Sequence, residues 1–288
     1  MPELPEVEVL VRHLAPLLAG QSIRRVQVRR ANVLASTPVA TLKRTLVGAK
    51  FSGVSRRGKY LIFSLRKPKE RRAVTLLGHL GMTGRMYVDA HDQRLPKHAA
   101  IVLDLGRRRL VYEDTRYFGR FTLDASPLAR LGPEPLGADF TADGFGRALR
   151  RSGQPVKVKL LDQSLVAGIG NIYASEALFR ARISPFRSAR QLRPAQVRRL
   201  WRAIRAVLRD AVARGSTVPL HFGGRERGDG RFYFGRAPDA PGDYAERLRV
   251  YDREGQPCHR CGALIRRCLQ AARSTFYCPR CQARGKCS

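Results

Sequence analysis

The sequence predicts a two-domain α+β protein: a helix with an antiparallel β-sandwich first, then a helical domain closed by a cysteine-rich module. Three observations predict it. Short runs of alternating apolar residues recur from Ile23 to Leu123 with no helical pattern between them. After a Pro/Gly-rich stretch the apolar period becomes helical. All six cysteines stand from residue 258 onward, four of them in two CxxC pairs.

The first helix is expected from about Leu4. Pro5 suits a first turn, Val7, Leu10, Val11, Leu14, Leu17 and Leu18 form one apolar stripe, and Gly20 ends it. Strands follow at Val26–Val28, Tyr60–Leu65, Val74–Leu77, Ile101–Leu105 and Leu110–Tyr112. The stretch Leu131-Gly132-Pro133-Glu134-Pro135-Leu136-Gly137 reads as a linker. Beyond it, Val197, Leu200, Trp201, Ile204, Val207, Leu208 and Ala211 share one face of a helix whose other faces carry arginines. Residues 215–257 are rich in Gly, Arg and aromatics and read as loop plus hairpin. Domain limits on this reading are 1–133, a linker and helical start at 134–155, 156–214, a connecting segment at 215–257, and 258–288.

Cys258-x2-Cys261 and Cys278-x2-Cys281 are the spacing by which two tight knuckles bring four thiolates onto one Zn²⁺. Four sulfurs close the coordination shell, so the metal is expected to be structural. Cys268, Cys287 and His259 read as ordinary residues of the module. A disulfide scaffold would spread its cysteines along the chain.

Charge sets the partner class. Lys and Arg number 55 against 23 Asp and Glu, a formal +32, and both halves of the chain share the excess. Such a field attracts polyanions and gains free energy by releasing counterions from phosphates. An arginine-rich codon bias explains Arg in place of Lys but not the shortage of acids. No apolar run approaches the ~18 residues of a membrane helix, and the acidic, proline-bearing start Met1–Glu6 lacks the apolar core of a signal peptide. A cytosolic protein that does not bind membranes is the expectation.

Pro2 offers chemistry of its own. Removal of Met1 exposes a secondary amine, and an α-amino group has a pKa near ~8 against ~10.4 for lysine. Its attack on a sugar C1′ gives an iminium ion, an electron sink, with Glu3 alongside to move protons. Simple N-terminal processing explains the same two residues.

Several blocks together resemble the formamidopyrimidine-DNA glycosylases. They are Met1-Pro2-Glu3-Leu4-Pro5-Glu6-Val7-Glu8, Arg56-Arg57-Gly58-Lys59-Tyr60-Leu61, His79-Leu80-Gly81-Met82-Thr83-Gly84, residues 131–136, Gly168-Ile169-Gly170-Asn171-Ile172-Tyr173-Ala174-Ser175-Glu176 and Arg273-Ser274-Thr275-Phe276-Tyr277-Cys278. They stand in family order along nearly the whole chain. Endonuclease VIII, the sister family, shares the architecture, but Leu4–Glu8 and the Arg273 block favour the first.

The resemblance implies a β-sandwich domain, a helix–two-turn–helix domain with a C-terminal zinc ribbon, and DNA in the cleft between domains. It implies a base-excision repair enzyme that removes 8-oxoguanine or formamidopyrimidines from double-stranded DNA and cleaves the abasic strand by β,δ-elimination. Pro2 is then the Schiff-base nucleophile and Glu3 its proton donor, with Lys59 and Arg273 aiding elimination. Glu6 and Glu176 are supporting carboxylates. Met82, Arg116 and Phe118 match the lesion-sensing residues that fill the void left by an extruded nucleotide. Lys157, Asn171 and Arg273 match phosphate contacts, with Tyr173 in the same block, and His98 and Arg151 lie near further DNA contacts. The segment 215–257 would supply a lesion-capping loop, and it is longer than the family's, which leaves the lesion preference open. The family default is a monomer. Two alternatives stand beside this reading: an enzyme of the same architecture preferring oxidised pyrimidines, and a noncatalytic zinc-containing binder of damaged DNA.

Overall fold

The computed structural model describes residues 2–68, 73–90, 94–214, 220–221, 233–234 and 248–283. They form two compact units, one running to Ala129 and taking in a short strand pair from later in the chain, the other beginning at Arg130 and including the C-terminal segment.

The first unit opens with helix α1 (Leu4–Leu18). Pro5 sits in its first turn, where a missing N–H costs nothing, and the Glu3 N–H donates to Glu6 Oε2 at 2.8 Å. Val7, Leu10, Val11, Leu14 and Leu18 are buried, as their spacing predicts, while Leu17 of the same stripe is half-buried and Leu4 is buried ahead of it. There follow β1 (Arg25–Val28), α2 (Val39–Leu46), β2 (Lys50–Arg57), β3 (Tyr60–Arg66), β4 (Val74–His79), β5 (Arg85–Ala90), β6 (Ala99–Asp104), β7 (Arg108–Glu113), β8 (Arg120–Thr122) and the single turn α3 (Ser126–Ala129). The strands make two four-stranded sheets, ordered β1-β6-β7-β5 and β2-β3-β4-β8, and the strand pairs are antiparallel. One core joins α1 to both sheets: Leu10 and Leu14 pack with Phe51, Leu61 and Phe63 of one sheet and Ile101, Leu103 and Leu110 of the other. In β3 the alternation is clean, with Leu61, Phe63 and Leu65 inward.

Helix α2 corrects the purely strand-like reading of 23–123. It turns Leu42 and Leu46 inward and has only two helical turns, too few for its period to stand out among neighbouring strands.

The second unit carries α4 (Ala142–Arg150), α5 (Val156–Leu160), α6 (Asn171–Arg180) and α7 (Pro194–Ala213). Thr141 caps α4 by accepting from the Gly144 N–H at 3.1 Å. In α7 the buried face is Val197, Leu200, Ala203, Ile204, Leu208 and Ala211, and the Trp201 indole N–H donates to the Phe140 carbonyl at 2.7 Å. Helix α6 is buried from Ile172 to Phe179. The later strand pair that belongs to the first unit, β9 (Leu220–His221) and β10 (Tyr233–Phe234), is antiparallel; the rest of the expected capping segment up to residue 247 lies outside the described residues. The chain closes with the hairpin β11 (Arg266–Gln270) and β12 (Arg273–Tyr277). Phe179 of α6 packs with Val250, Ile265 and Phe276, joining helices and hairpin in one apolar cluster. No helix among the described residues is long and apolar enough to cross a membrane.

Candidate functional site

At the head of α1, Pro2, Glu3 and Glu6 are all buried. A tight turn joins β2 to β3, with Arg57 paired to Tyr60 and Gly58 at φ +58°, a conformation glycine adopts without strain. Lys59 is on that turn and is buried. Arg56 ties turn to helix: its Nε donates to Glu8 Oε2 at 2.9 Å and its Nη1 to the Gly58 carbonyl at 3.2 Å. Burial raises the Glu8 pKa, but hydrogen bonds from Arg56 and Arg12 outweigh it, and the carboxyl titrates below its usual range.

His79, at the end of β4, is a further group here. Burial, then the charges of Lys59 and Arg120, depress its pKa to about 4, so the ring is neutral at physiological pH. Its Nδ1 accepts the Gly81 N–H at 3.1 Å, which leaves the ring proton on Nε2. A neutral donor therefore stands beside a fixed cation.

Met82 and Phe118 are exposed, at 38% and 47%, although both are large and apolar. Met82 lies on the turn after β4, and Arg116 and Phe118 on the loop from β7 to β8. The Arg116 guanidinium stacks 4.6 Å over the Phe118 ring centroid. The two loops touch: a Cβ at Gly81, itself at φ +67°, would lie 2.6 Å from the Phe118 carbonyl carbon. The structure thus brings all three sequence-predicted void-filling residues to one place. Half-buried His98 joins the same region, its Nδ1 3.1 Å from the Tyr117 hydroxyl and its carbonyl accepting the Asp114 N–H at 3.1 Å.

In the second unit, Lys157 Nζ at 3.2 Å and Asn171 Nδ2 at 2.9 Å both donate to the Ser274 carbonyl, one residue beyond exposed Arg273. Three expected phosphate contacts therefore cluster on one strand end. Lys157 is fully buried, and Asn171 Oδ1 is buried without a hydrogen-bond partner. Asn171 opens α6 just after Gly170, where backbone N–H groups point outward. Arg151 is exposed at the end of α4. Tyr173 is buried and lines a cavity of about 570 Å³ with Glu176, Arg249 and His259. Glu176 accepts three backbone N–H bonds, from Arg249 at 3.0 Å and from Val250 and Tyr251 at 2.9 Å. Burial nonetheless raises its pKa, the N–H bonds opposing it. This carboxylate anchors the strap leading into the cysteine module.

The sulfurs of Cys258, Cys261, Cys278 and Cys281 all lie within 4.8 Å of one another. The Cys258–Cys281 and Cys261–Cys278 separations are 3.9 and 3.5 Å, close to the ~3.8 Å edge of a tetrahedron with Zn–S bonds of ~2.3 Å. Backbone N–H groups of Arg260 and Cys281 point at Cys258 and Cys278 sulfurs, as thiolates require. The donor set fits one Zn²⁺ with no open position, so these cysteines hold a structural ion. Cys268 stands on β11 outside the cluster, and Cys287 lies outside the described residues.

Sequence reasoning missed Arg56, His79 and Asp114. The first two stood inside the quoted motifs, but only folded contacts reveal what they touch. Asp114 follows Glu113 at the head of an arginine-bearing loop and stands in no motif.

Comparison with known proteins agrees with this geometry. Residues 1–121 match the model of the formamidopyrimidine-DNA glycosylase N-terminal domain, residues 131–220 that of its H2TH domain, and residues 255–284 a zinc finger found in FPG and IleRS. The formamidopyrimidine-DNA glycosylase of Thermus thermophilus is 43% identical over 293 residues, spanning 99% of this chain and 100% of that one. That of Novosphingobium aromaticivorans is 42% identical, spanning 98% and 100%. Among solved structures, the Thermus thermophilus protein superposes with a TM-score of 0.81 at 40% identity, covering 99% of this chain and 100% of its own. A Lactococcus lactis FPG variant in complex with Fapy-dG-containing DNA gives 0.85 at 32% identity, covering 98% and 100%. The chain belongs to the formamidopyrimidine-DNA glycosylase family and is a DNA-repair glycosylase with a zinc finger.

Proposed function

We propose that the chain excises oxidised purines, 8-oxoguanine and formamidopyrimidines, from duplex DNA and then cleaves the abasic strand. The observation that carries this is the buried group Pro2, Glu3 and Glu6 at the head of α1, docked through Glu8 and Arg56 to the turn bearing Lys59. Solved relatives in complex with Fapy-dG-containing and abasic-site DNA support the substrate class.

Once Met1 is removed, the Pro2 nitrogen is a secondary amine. Its lone pair bonds to C1′, the base leaves with the electrons of the C1′–N bond, and the proton shed by the new ammonium neutralises the departing base. Glu3 protonates O4′ as the C1′–O4′ bond opens, leaving a C1′ iminium. The iminium acidifies C2′; loss of that proton expels the 3′ phosphate, and a second elimination through C4′ expels the 5′ phosphate. Hydrolysis of the iminium frees the sugar fragment, with no net oxidation or reduction. Glu6 fixes the backbone beside the amine through the Glu3 N–H. Lys59 holds a phosphate near the lesion as a compact cation, and Arg273, aided by Lys157 and Asn171, holds the phosphates that depart. Met82, Arg116 and Phe118 occupy the space left by the extruded nucleotide.

A Pro2→Gly variant separates chemistry from binding. Single-turnover strand cleavage is expected to fall by at least about a hundredfold while duplex affinity stays within about threefold. Unchanged cleavage would remove Pro2 from the mechanism. A panel of duplexes carrying oxidised purines and oxidised pyrimidines fixes the lesion class.

A further inference from the structure

Asp114 is 1% exposed and its carboxylate is fully committed. Oδ1 accepts from the Thr83 hydroxyl and from the Arg116 N–H at 3.1 Å. Oδ2 accepts from the Tyr112 hydroxyl and the Gly119 N–H, both at 2.9 Å. These donors come from separate places in the chain. Thr83 follows Met82 on the turn after β4, Arg116 and Gly119 flank Phe118, and Tyr112 is on β7. The packing agrees: a Cβ at Gly119 would overlap the Tyr112 hydroxyl, and one at Gly84 would lie 2.7 Å from it. Tyr117, between Arg116 and Phe118, holds φ at +52°, which an L-residue adopts only when its surroundings impose it.

We propose that Asp114 is a positioning residue for the void-filling element, locking the turn of Met82 to the loop of Arg116 and Phe118 so that the three side chains enter the duplex as one preset unit. This role depends on the glycosylase function proposed for the chain. Each loop alone would have to order its side chains on insertion, at roughly two- to tenfold in equilibrium constant per side chain. A carboxylate joined to both loops removes that cost before DNA arrives. Only a carboxylate serves, because four donors need two oxygens that both accept. An amide would set its NH₂ against one pair of donors and free one loop.

The test compares wild type with Asp114→Asn, Thr83→Val and, as a control, Asp89→Asn. Asp89 pairs with Arg109 at 3.3 Å, joining β5 to β7 by a buried ion pair of comparable burial. Each protein is assayed on a duplex containing 8-oxoguanine with 2-aminopurine opposite, and on a single-stranded oligonucleotide containing an abasic site, which has no void to fill. Asp114→Asn is expected to slow duplex excision by about 10- to 100-fold, and Thr83→Val by about 3- to 10-fold. In both, single-strand cleavage stays within about twofold and the lesion-dependent 2-aminopurine signal shrinks. Asp89→Asn lowers the thermal midpoint and moves both substrates alike. If Asp114→Asn slows both substrates, Thr83→Val decides: a selective duplex loss supports the lock. Parallel loss on both substrates, or no loss on the duplex, overturns it. Failure of the wild type on both substrates would instead contradict the glycosylase reading.

Discussion

His79 is half-buried beside two cations, Lys59 and Arg120, and its partial burial with their charges drives its pKa to about 4 from an ordinary 6.5. The folded state refuses a proton that the unfolded chain accepts. Stability is therefore full above pH 6.5 and declines as pH falls toward 4, by up to about 3 kcal/mol for this one group. Asn at position 79 keeps an acceptor for the Gly81 N–H and cannot titrate. His79→Asn should flatten the decline of the urea midpoint between these two pH values; an unaltered slope would mean that His79 is not a neutral base. Residues at this scale were unevenly legible in the sequence. Lys59, Met82 and Phe118 carry their meaning in local motifs, with glycines that mark loops. Asp114 and Arg56 do not, because their partners lie far along the chain, as Thr83 does from Asp114 and Glu8 from Arg56.

The hairpin that presents Arg273 turns through Ala271 and Ala272, at φ +47° and +57°. Gln270 pairs with Arg273 across this two-residue turn. Positive φ at both central positions is the type I′ pattern that Asn-Gly satisfies, and each alanine there carries roughly 1–2 kcal/mol of strain. Replacing the pair with Ala271→Asn and Ala272→Gly should raise stability by about 1 kcal/mol in thermal unfolding of the zinc-loaded protein. A loss would mean that the turn is held in this form for another reason. The cysteine cluster supports the base of the same hairpin. Stripping the zinc should abolish hydrogen-exchange protection in β12 and at residues 249–251 while β3 and β4 keep theirs; protection of β12 that survives metal removal would show that the ion does not hold it. Elements were read well where period and length agreed, as in α1, α7 and the alternating β3. Helix α2 escaped because two turns carry too little period, and β5 because Met86, Tyr87 and Val88 are all buried and do not alternate. The knuckles were legible from spacing alone, whereas the Glu176 strap that leads into them was not.

For the molecule as a whole, the +32 charge, the two units and the zinc finger fit a repair glycosylase acting on a polyanion. The charge fits a polyanionic partner, the exposed Met82 and Phe118 fit a stack that must be opened, and in the proposed mechanism the head of α1 supplies the chemistry. The proposed covalent mechanism rests on two adjacent residues, Pro2 and Glu3. The most direct measurement is borohydride trapping on a duplex containing 8-oxoguanine, followed by peptide mass spectrometry. The account predicts a covalent adduct on Pro2 of a chain that has lost Met1, because reduction of the iminium fixes the amine to C1′. An adduct on Lys59 or another lysine, or no adduct with any oxidised lesion while tight binding persists, would contradict it.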